Sequence, residues 1–151
     1  MNCEKKTSEK QMDKKVVVTD ANILIRAVLG KRVRQLIYES CYSVDFIAPD
    51  IAFEEAGKYL PSLIEKRGLA SDAAMLVFEK LANNIESIDF EVYADMKSQA
   101  LDRIAIRDAD DWPVLACAMR FDCPVWTEDT DFFGSGVATW TTDRIALYFS
   151  N

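Results

Sequence analysis

Histidine is absent from all 151 residues of this chain. Any metal site must therefore do without imidazole, and with no evident nucleophile in its place a hydrolytic reaction would fall to water. The four cysteines, Cys3, Cys41, Cys117 and Cys123, show no Cys-x-x-Cys pairing, which excludes the usual zinc spacing. Buried, reduced, inert thiols are expected instead. No apolar run approaches the length needed to span a bilayer. The first fifteen residues are polar and lysine-rich, without the apolar stretch of a signal peptide. The expectation is a cytoplasmic protein with a polar tail over 1–15, one domain over 16–151 and no membrane association. Half the residues are hydrophobic and 28% are charged, enough for one soluble domain with a real core.

A net charge of −7 argues against a nucleic-acid partner until its location is considered. Residues 108–131 hold seven acids and one base, which leaves 18 acids and 17 bases elsewhere. The acidity is local. Carboxylates crowded together repel, and a cluster that stays ionised usually has a cation to hold it. An exposed acidic loop is the plainer alternative.

Four stretches carry the informative acids: VVVTDANIL (16–24), FEEAGKYL (53–60), RDADDWPVLACA (107–118) and VWTEDTDFF (125–133). A site of Asp and Glu alone offers only hard oxygen ligands. These suit Mg²⁺ or Mn²⁺ rather than Zn²⁺, and carboxylate-held Mg²⁺ usually serves phosphate chemistry.

The local pattern predicts strands at 16–19, 42–48, 85–88, 124–127 and an edge strand at 137–140. Helices are predicted at 21–29, 31–40, 50–66 with a break near Pro61, 70–82 capped by Ser71 or Asp72, 91–103, 111–121 and 142–149, with an acidic loop over 104–110. Strands alternating with helices specify a three-layer α/β/α domain with a central, mainly parallel sheet. In such a sheet ligands bind beyond the carboxyl ends of the strands. Asp20 and Asp129 follow strands, Asp111 opens a helix, and Glu54 and Glu55 lie early in a helix fed by a strand. Four segments thus bring carboxylates to one rim. Each acid also has an ordinary use: Asp20, Asn22, Asp110 or Asp111 as helix caps, Glu54 and Glu55 in a first turn, Asp129 and Asp131 in an Asx turn. Four such uses converging on one rim explain less than one metal site does. Lys31, Arg32 and Arg34 form either a solvated helix face or a set of phosphate contacts beside the site.

With these residues in place, the chain resembles the PIN domain, a family of small metal-dependent nucleases that includes the toxin ribonucleases of toxin–antitoxin pairs. The resemblance covers about residues 16–145. It rests on a strand ending in Asp20-Ala21-Asn22; on Glu55 with Leu60 five positions on, Glu54 competing for the place; on Asp111 before a helix with Ala116 and Ala118, preceded by Asp108 and Asp110; and on Thr127-Glu128-Asp129-Thr130-Asp131-Phe132 after a strand.

The resemblance implies an endoribonuclease cutting single-stranded RNA with water activated by one or two Mg²⁺ or Mn²⁺. It implies Asp20, Glu55, Asp111 and Asp129 as catalytic, metal-holding acids, with Asp131 as a further ligand. Asn22, Thr127, Asp108, Asp110 and Glu54 would orient ligands or touch substrate, with the choice of direct ligands among Asp108, Asp110, Asp111, Asp129 and Asp131 left open; Lys31, Arg32 and Arg34 stay the candidates for phosphate contact. It also implies an antitoxin protein and a homodimer as partners. The competing reading is a catalytically silent module of the same fold that binds RNA or protein. A receiver-type domain lacks its lysine after the strand at 124–127. A haloacid-dehalogenase-like phosphatase would need an acid where Asn22 stands.

Overall fold

In the computed structural model residues 14–150 are described. The polar tail expected over 1–15 lies outside the described residues as far as residue 13, and Lys15 already belongs to the first strand. In chain order the elements are β1 (Lys15–Thr19), α1 (Ala21–Leu29), α2 (Lys31–Ser40), β2 (Val44–Pro49), α3 (Asp50–Lys66), α4 (Ser71–Leu81), β3 (Ile85–Ile88) and α5 (Phe90–Tyr93). Then follow α6 (Lys97–Asp108), α7 (Trp112–Phe121), β4 (Val125–Trp126), β5 (Thr139–Trp140) and α8 (Ile145–Ser150). Short 3₁₀ turns occupy Ala94–Met96, Ala109–Asp111 and Thr130–Phe132.

The five strands form one sheet in the order β3-β2-β1-β4-β5, and every pairing is parallel. Alternation along the strands divides the core. Val17, Phe46, Ala48, Ile85 and Trp126 face a layer built from α1 to α4 and Ile145 of α8. Val18, Ile47, Ile88 and Val125 face the other layer, where Tyr93, Ala100, Ile104, Phe132 and the buried stretch Val114–Ala118 pack. β1 is apolar on both faces because helices cover both. The expected three-layer α/β/α architecture is the one found.

Three local expectations differ from the structure. Helix α3 runs unbroken through Pro61, because its buried face, Ala52, Ala56, Leu60 and Ile64, holds it against the sheet while Pro61 itself is exposed. The acidic loop expected over 104–110 is helical to Asp108, since Ala100 and Ile104 anchor α6 to the core and carry the helix onward. At α4 the N-cap residue is Ala70, with no side-chain capping bond, and Ser71 and Asp72 fall in the first turn. Of the cysteines, Cys117 and Cys123 are free thiols. Cys41 is disulfide-bonded, which corrects the expectation of a reduced thiol there. No helix among the described residues is long and apolar enough to cross a membrane.

Candidate metal centre

The strand order reverses direction at β1: β2 and β3 lie to one side, β4 and β5 to the other. The crevice between β1 and β4 is thus a topological switch point, where open α/β sheets bind ligands. The register pairs Val18 with Val125 and Thr19 with Trp126. The next residues on the two strands, Asp20 and Thr127, therefore leave the sheet side by side.

Asp20 is 8% exposed. One carboxylate oxygen caps α1 by accepting the Ile23 amide at 2.9 Å, and the other accepts the Thr127 hydroxyl. Thr127 Oγ1 in turn accepts the Asp129 amide at 2.9 Å, and Asp129 Oδ1 accepts the Asp131 amide at 2.9 Å. One hydroxyl so fixes Asp20 and the start of the Asp129 turn together. Replacing Thr127 by Val keeps the shape but leaves the buried Asp20 carboxylate and the half-buried Asp129 amide each short of a partner. The expected loss is about 1–3 kcal/mol of stability, measured by urea unfolding.

Opposite this pair, the turn Ala109–Asp111 brings Asp111 in from the start of α7. Asp108, Asp111 and Asp131 each place a carboxylate oxygen within 4.8 Å of the others. Asp111 Oδ2 is buried with no hydrogen-bond partner. Burial, then the neighbouring charges of Asp129 and Asp108, pushes the Asp111 carboxyl up to about 8. Burial also raises Asp20 to about 6, the Thr127 and Ile23 hydrogen bonds opposing and the Asp129 charge assisting. Desolvation and the charges of Asp129 and Asp108 raise Asp131, while Arg107 pulls it down. An orphaned buried carboxylate oxygen among acids that repel one another is the donor set a divalent oxygen-seeking cation fits.

A cleft of about 480 Å³ opens on this cluster, lined by Asp20, Asn22, Glu55, Asp108, Asp110, Asp111 and Asp129, with Ile51, Tyr59 and Trp112 as apolar walls. Ile51, Glu55 and Tyr59 share one face of α3 at four-residue spacing. Glu54 lies outside this lining, and its charge acts instead on Tyr93. Glu55→Gln is therefore expected to weaken Mn²⁺ binding several-fold in calorimetric titration, and Glu54→Gln to leave it unchanged. The reverse result would reassign the ligand.

Other acids of the rim are occupied structurally. Asp50 Oδ1 accepts the Tyr93 hydroxyl at 2.6 Å and Oδ2 the Phe90 amide at 3.0 Å, tying α3 to α5. Glu128 accepts the amide and hydroxyl of Thr142 at 2.7 and 2.8 Å, holding the segment before α8. Asp110 is exposed, and its amide donates to Asp108 at 3.0 Å. Arg34 donates to the Ala27 and Val28 carbonyls, both at 3.1 Å, and so caps the end of α1. Lys31 and Arg32 line a neighbouring cleft with Asn22 and Asp129.

The acid motifs do not point to Arg103 and Arg107 of α6, yet both support the site. Arg107 donates to the Asp131 carbonyl at 3.3 Å and Arg103 to the Ser135 carbonyl at 3.4 Å. Gly134 and Gly136, at φ of +84° and +87°, would bring a Cβ to 3.1 Å from these guanidinium groups. Two arginines and two glycines thus pin the loop that carries Asp131. The Gly-x-Gly after an acidic turn is the trace of this in the sequence, but its arginine partners leave no local signal.

The family model of the PIN domain matches residues 18–150. Among solved structures, the chain is similar to a protein from Pyrobaculum aerophilum, with TM-score 0.66 and 15% identity, covering 92% of this chain and 91% of that one. It is similar to a chain of a toxin–antitoxin complex from Klebsiella pneumoniae, with TM-score 0.57 and 18% identity over 83% of this chain and 97% of that one. FitAcB from Neisseria gonorrhoeae gives TM-score 0.54 and 20% identity, covering 83% and 97%. No curated protein matches the sequence.

Proposed function

This chain belongs to the PIN domain family, and from that premise we propose that it is a Mg²⁺- or Mn²⁺-dependent endoribonuclease acting on single-stranded RNA, the toxin of a toxin–antitoxin pair. One observation carries the reading. Asp20, Glu55, Asp111 and Asp129, the acids we assign to that chemistry, line one cleft, and Asp111 keeps a buried carboxylate oxygen without a hydrogen-bond partner.

Asp20, Asp111 and Asp129, with Glu55 across the cleft and Asp108 and Asp131 beside them, would hold the cation. A bound Mg²⁺ or Mn²⁺ supplies a water of lowered pKa and neutralises charge on the phosphodiester. The chain's own residues supply position. Thr127 and the Ile23 amide fix the Asp20 carboxylate, and the Arg107 contact holds the Asp131 turn. Asn22 is exposed at the cleft mouth, placed to donate to a phosphate or sugar oxygen. Tyr59 and Trp112 give the cleft a wall on which a base can stack.

The likeness to a toxin–antitoxin complex supports an antitoxin protein as partner. A homodimer and a cytoplasmic location complete the proposal. The test is cleavage of a labelled single-stranded RNA with Mn²⁺ or Mg²⁺, beside EDTA. Metal-dependent scission supports the proposal. Intact RNA under every metal, from protein shown to be folded and to bind RNA, would favour the silent binding module.

A further inference from the structure

Beside the acidic cleft lies a second cleft of about 690 Å³, and the two share Asn22, Ile25 and Asp129. Its far end is basic. Arg26 from α1, Lys31 and Arg32 from the start of α2, and Arg67 from the end of α3 converge there from three elements. Arg32 is paired with Asp143 at 3.2 Å, in an exposed position. Arg26, Lys31 and Arg67 make no ion pair within 4 Å among the described residues. Of the two acids at the near end, Glu128 is occupied by Thr142. Gly30 is the N-cap residue of α2 and offers no side-chain cap, so the first amides of that helix add positive potential to the same cleft.

We propose that this basic cleft is a phosphate-backbone subsite, which holds the RNA strand one or more nucleotides away from the bond cut at the acidic cleft. The inference rests on the nuclease reading and deepens it. An acidic site repels a polyanion, so strand affinity must come from cations nearby, and the only cleft adjoining it among those described carries three cations unpaired among the described residues. A peptide would use the apolar walls, Leu29, Val33 and Leu63, and would have no need of three open charges. Phosphates spaced along a strand do need them. Arg34, committed to the α1 carbonyls, is not part of the subsite.

The test uses the full chain carrying Asp20→Asn, with Mg²⁺ present, and a fluorescein-labelled single-stranded 12-mer RNA followed by anisotropy across a salt series. Lys31→Ala with Arg67→Ala should weaken binding at least tenfold. The slope of log affinity against log salt should fall by about 1.4, since each single-strand phosphate contact contributes roughly 0.7. The charge-preserving pair Lys31→Arg with Arg67→Lys should stay within twofold. In the cleaving chain, the alanine pair should raise KM for long RNA far more than KM for a dinucleotide. Unchanged affinity and slope in a folded alanine pair would overturn the subsite. So would loss of poly-glutamate binding with RNA binding intact, which would make the cleft a surface for acidic peptides. Failure of the nuclease reading looks different: the wild-type chain would cut nothing, yet its RNA binding would still depend on Lys31 and Arg67.

Discussion

Asp20→Asn is expected to reduce RNA cleavage by on the order of a hundredfold or more while leaving the fold intact and, without metal, firmer. The two halves have one cause. Asp20 is buried, and its carboxyl is raised to about 6 chiefly by that burial. Above that pH the apo protein carries a buried charge facing Asp129 and Glu128. The cost is on the order of 3 kcal/mol, because the rise from 3.8 to about 6 spans a little over two tenfold changes in proton affinity, each worth ~1.4 kcal/mol. Asparagine keeps the oxygen that accepts the Ile23 amide, so α1 stays capped. It removes the negative charge that the cation and the reaction need. Thermal unfolding in EDTA at pH 8 should therefore show a midpoint equal to or above wild type, with ~2–4 °C for each kcal/mol in a domain of this size. Wild-type cleavage by the folded variant would remove Asp20 from the site. A sharply lowered midpoint would show that Asp20 serves the fold and not the cation.

The same residue shows what can be read from a sequence. β1 is legible because a continuous β-branched run ending in Asp has few structural uses, and both its boundary and its parallel neighbours follow from burial on two faces. The convergence of Asp20, Glu55, Asp111 and Asp129 is legible because strand ends in a parallel sheet share a rim, whatever the loops do. What depends on side-chain direction is not legible. Glu54 and Glu55 differ by one helical step of roughly 100°, which the apolar face of α3 decides only once Ala52, Ala56 and Leu60 are seen to be buried. The sequence leaves open which of Asp108, Asp110, Asp111, Asp129 and Asp131 would touch a metal directly, and the structure sets a carboxylate oxygen of Asp108 within 4.8 Å of those of Asp111 and Asp131. The reason is that α6 runs on through the expected loop, which carries Asp108 to the cluster. Glu128 sits in the most acidic stretch of the chain but is claimed by Thr142, fourteen residues on. Arg26 is a lone cation in an apolar helix and Arg67 follows Lys66 where α3 ends, and only the tertiary fold brings them to one cleft.

In EDTA the protein is expected to lose stability as pH rises from about 5 to about 8, with saturating Mn²⁺ flattening or reversing that trend. The sign follows from the raised carboxyls. An acid whose folded pKa lies above its unfolded value holds its proton in the native state after the unfolded chain has released it. The native state then binds more protons, and stability falls with pH until the folded pKa is passed. For Asp20 that window runs from its ordinary value of 3.8 to about 6. For Asp111 it runs from 3.8 to about 8. Asp131 is shifted in the same direction. The absence of histidine makes the experiment unusually clean, because no imidazole titrates in this range. The thiols of Cys117 and Cys123 are pushed far above it by burial. A divalent cation prefers the ionised acids, so its binding at pH 7 must displace the proton that Asp111 retains. Calorimetric titration of Mn²⁺ in buffers of different ionisation enthalpy should register release of about one proton per site at pH 7, falling toward zero near pH 9. At a hundred times its dissociation constant the cation would add about 2.7 kcal/mol of stability, and each further tenfold excess about 1.4 kcal/mol more, so the apo decline flattens as the cation concentration rises. An apo midpoint that climbs between pH 5 and 8, or Mn²⁺ binding without proton release at pH 7, would mean that these carboxylates are not held together against their own repulsion. The cluster would then be an acidic surface and not a site awaiting a cation.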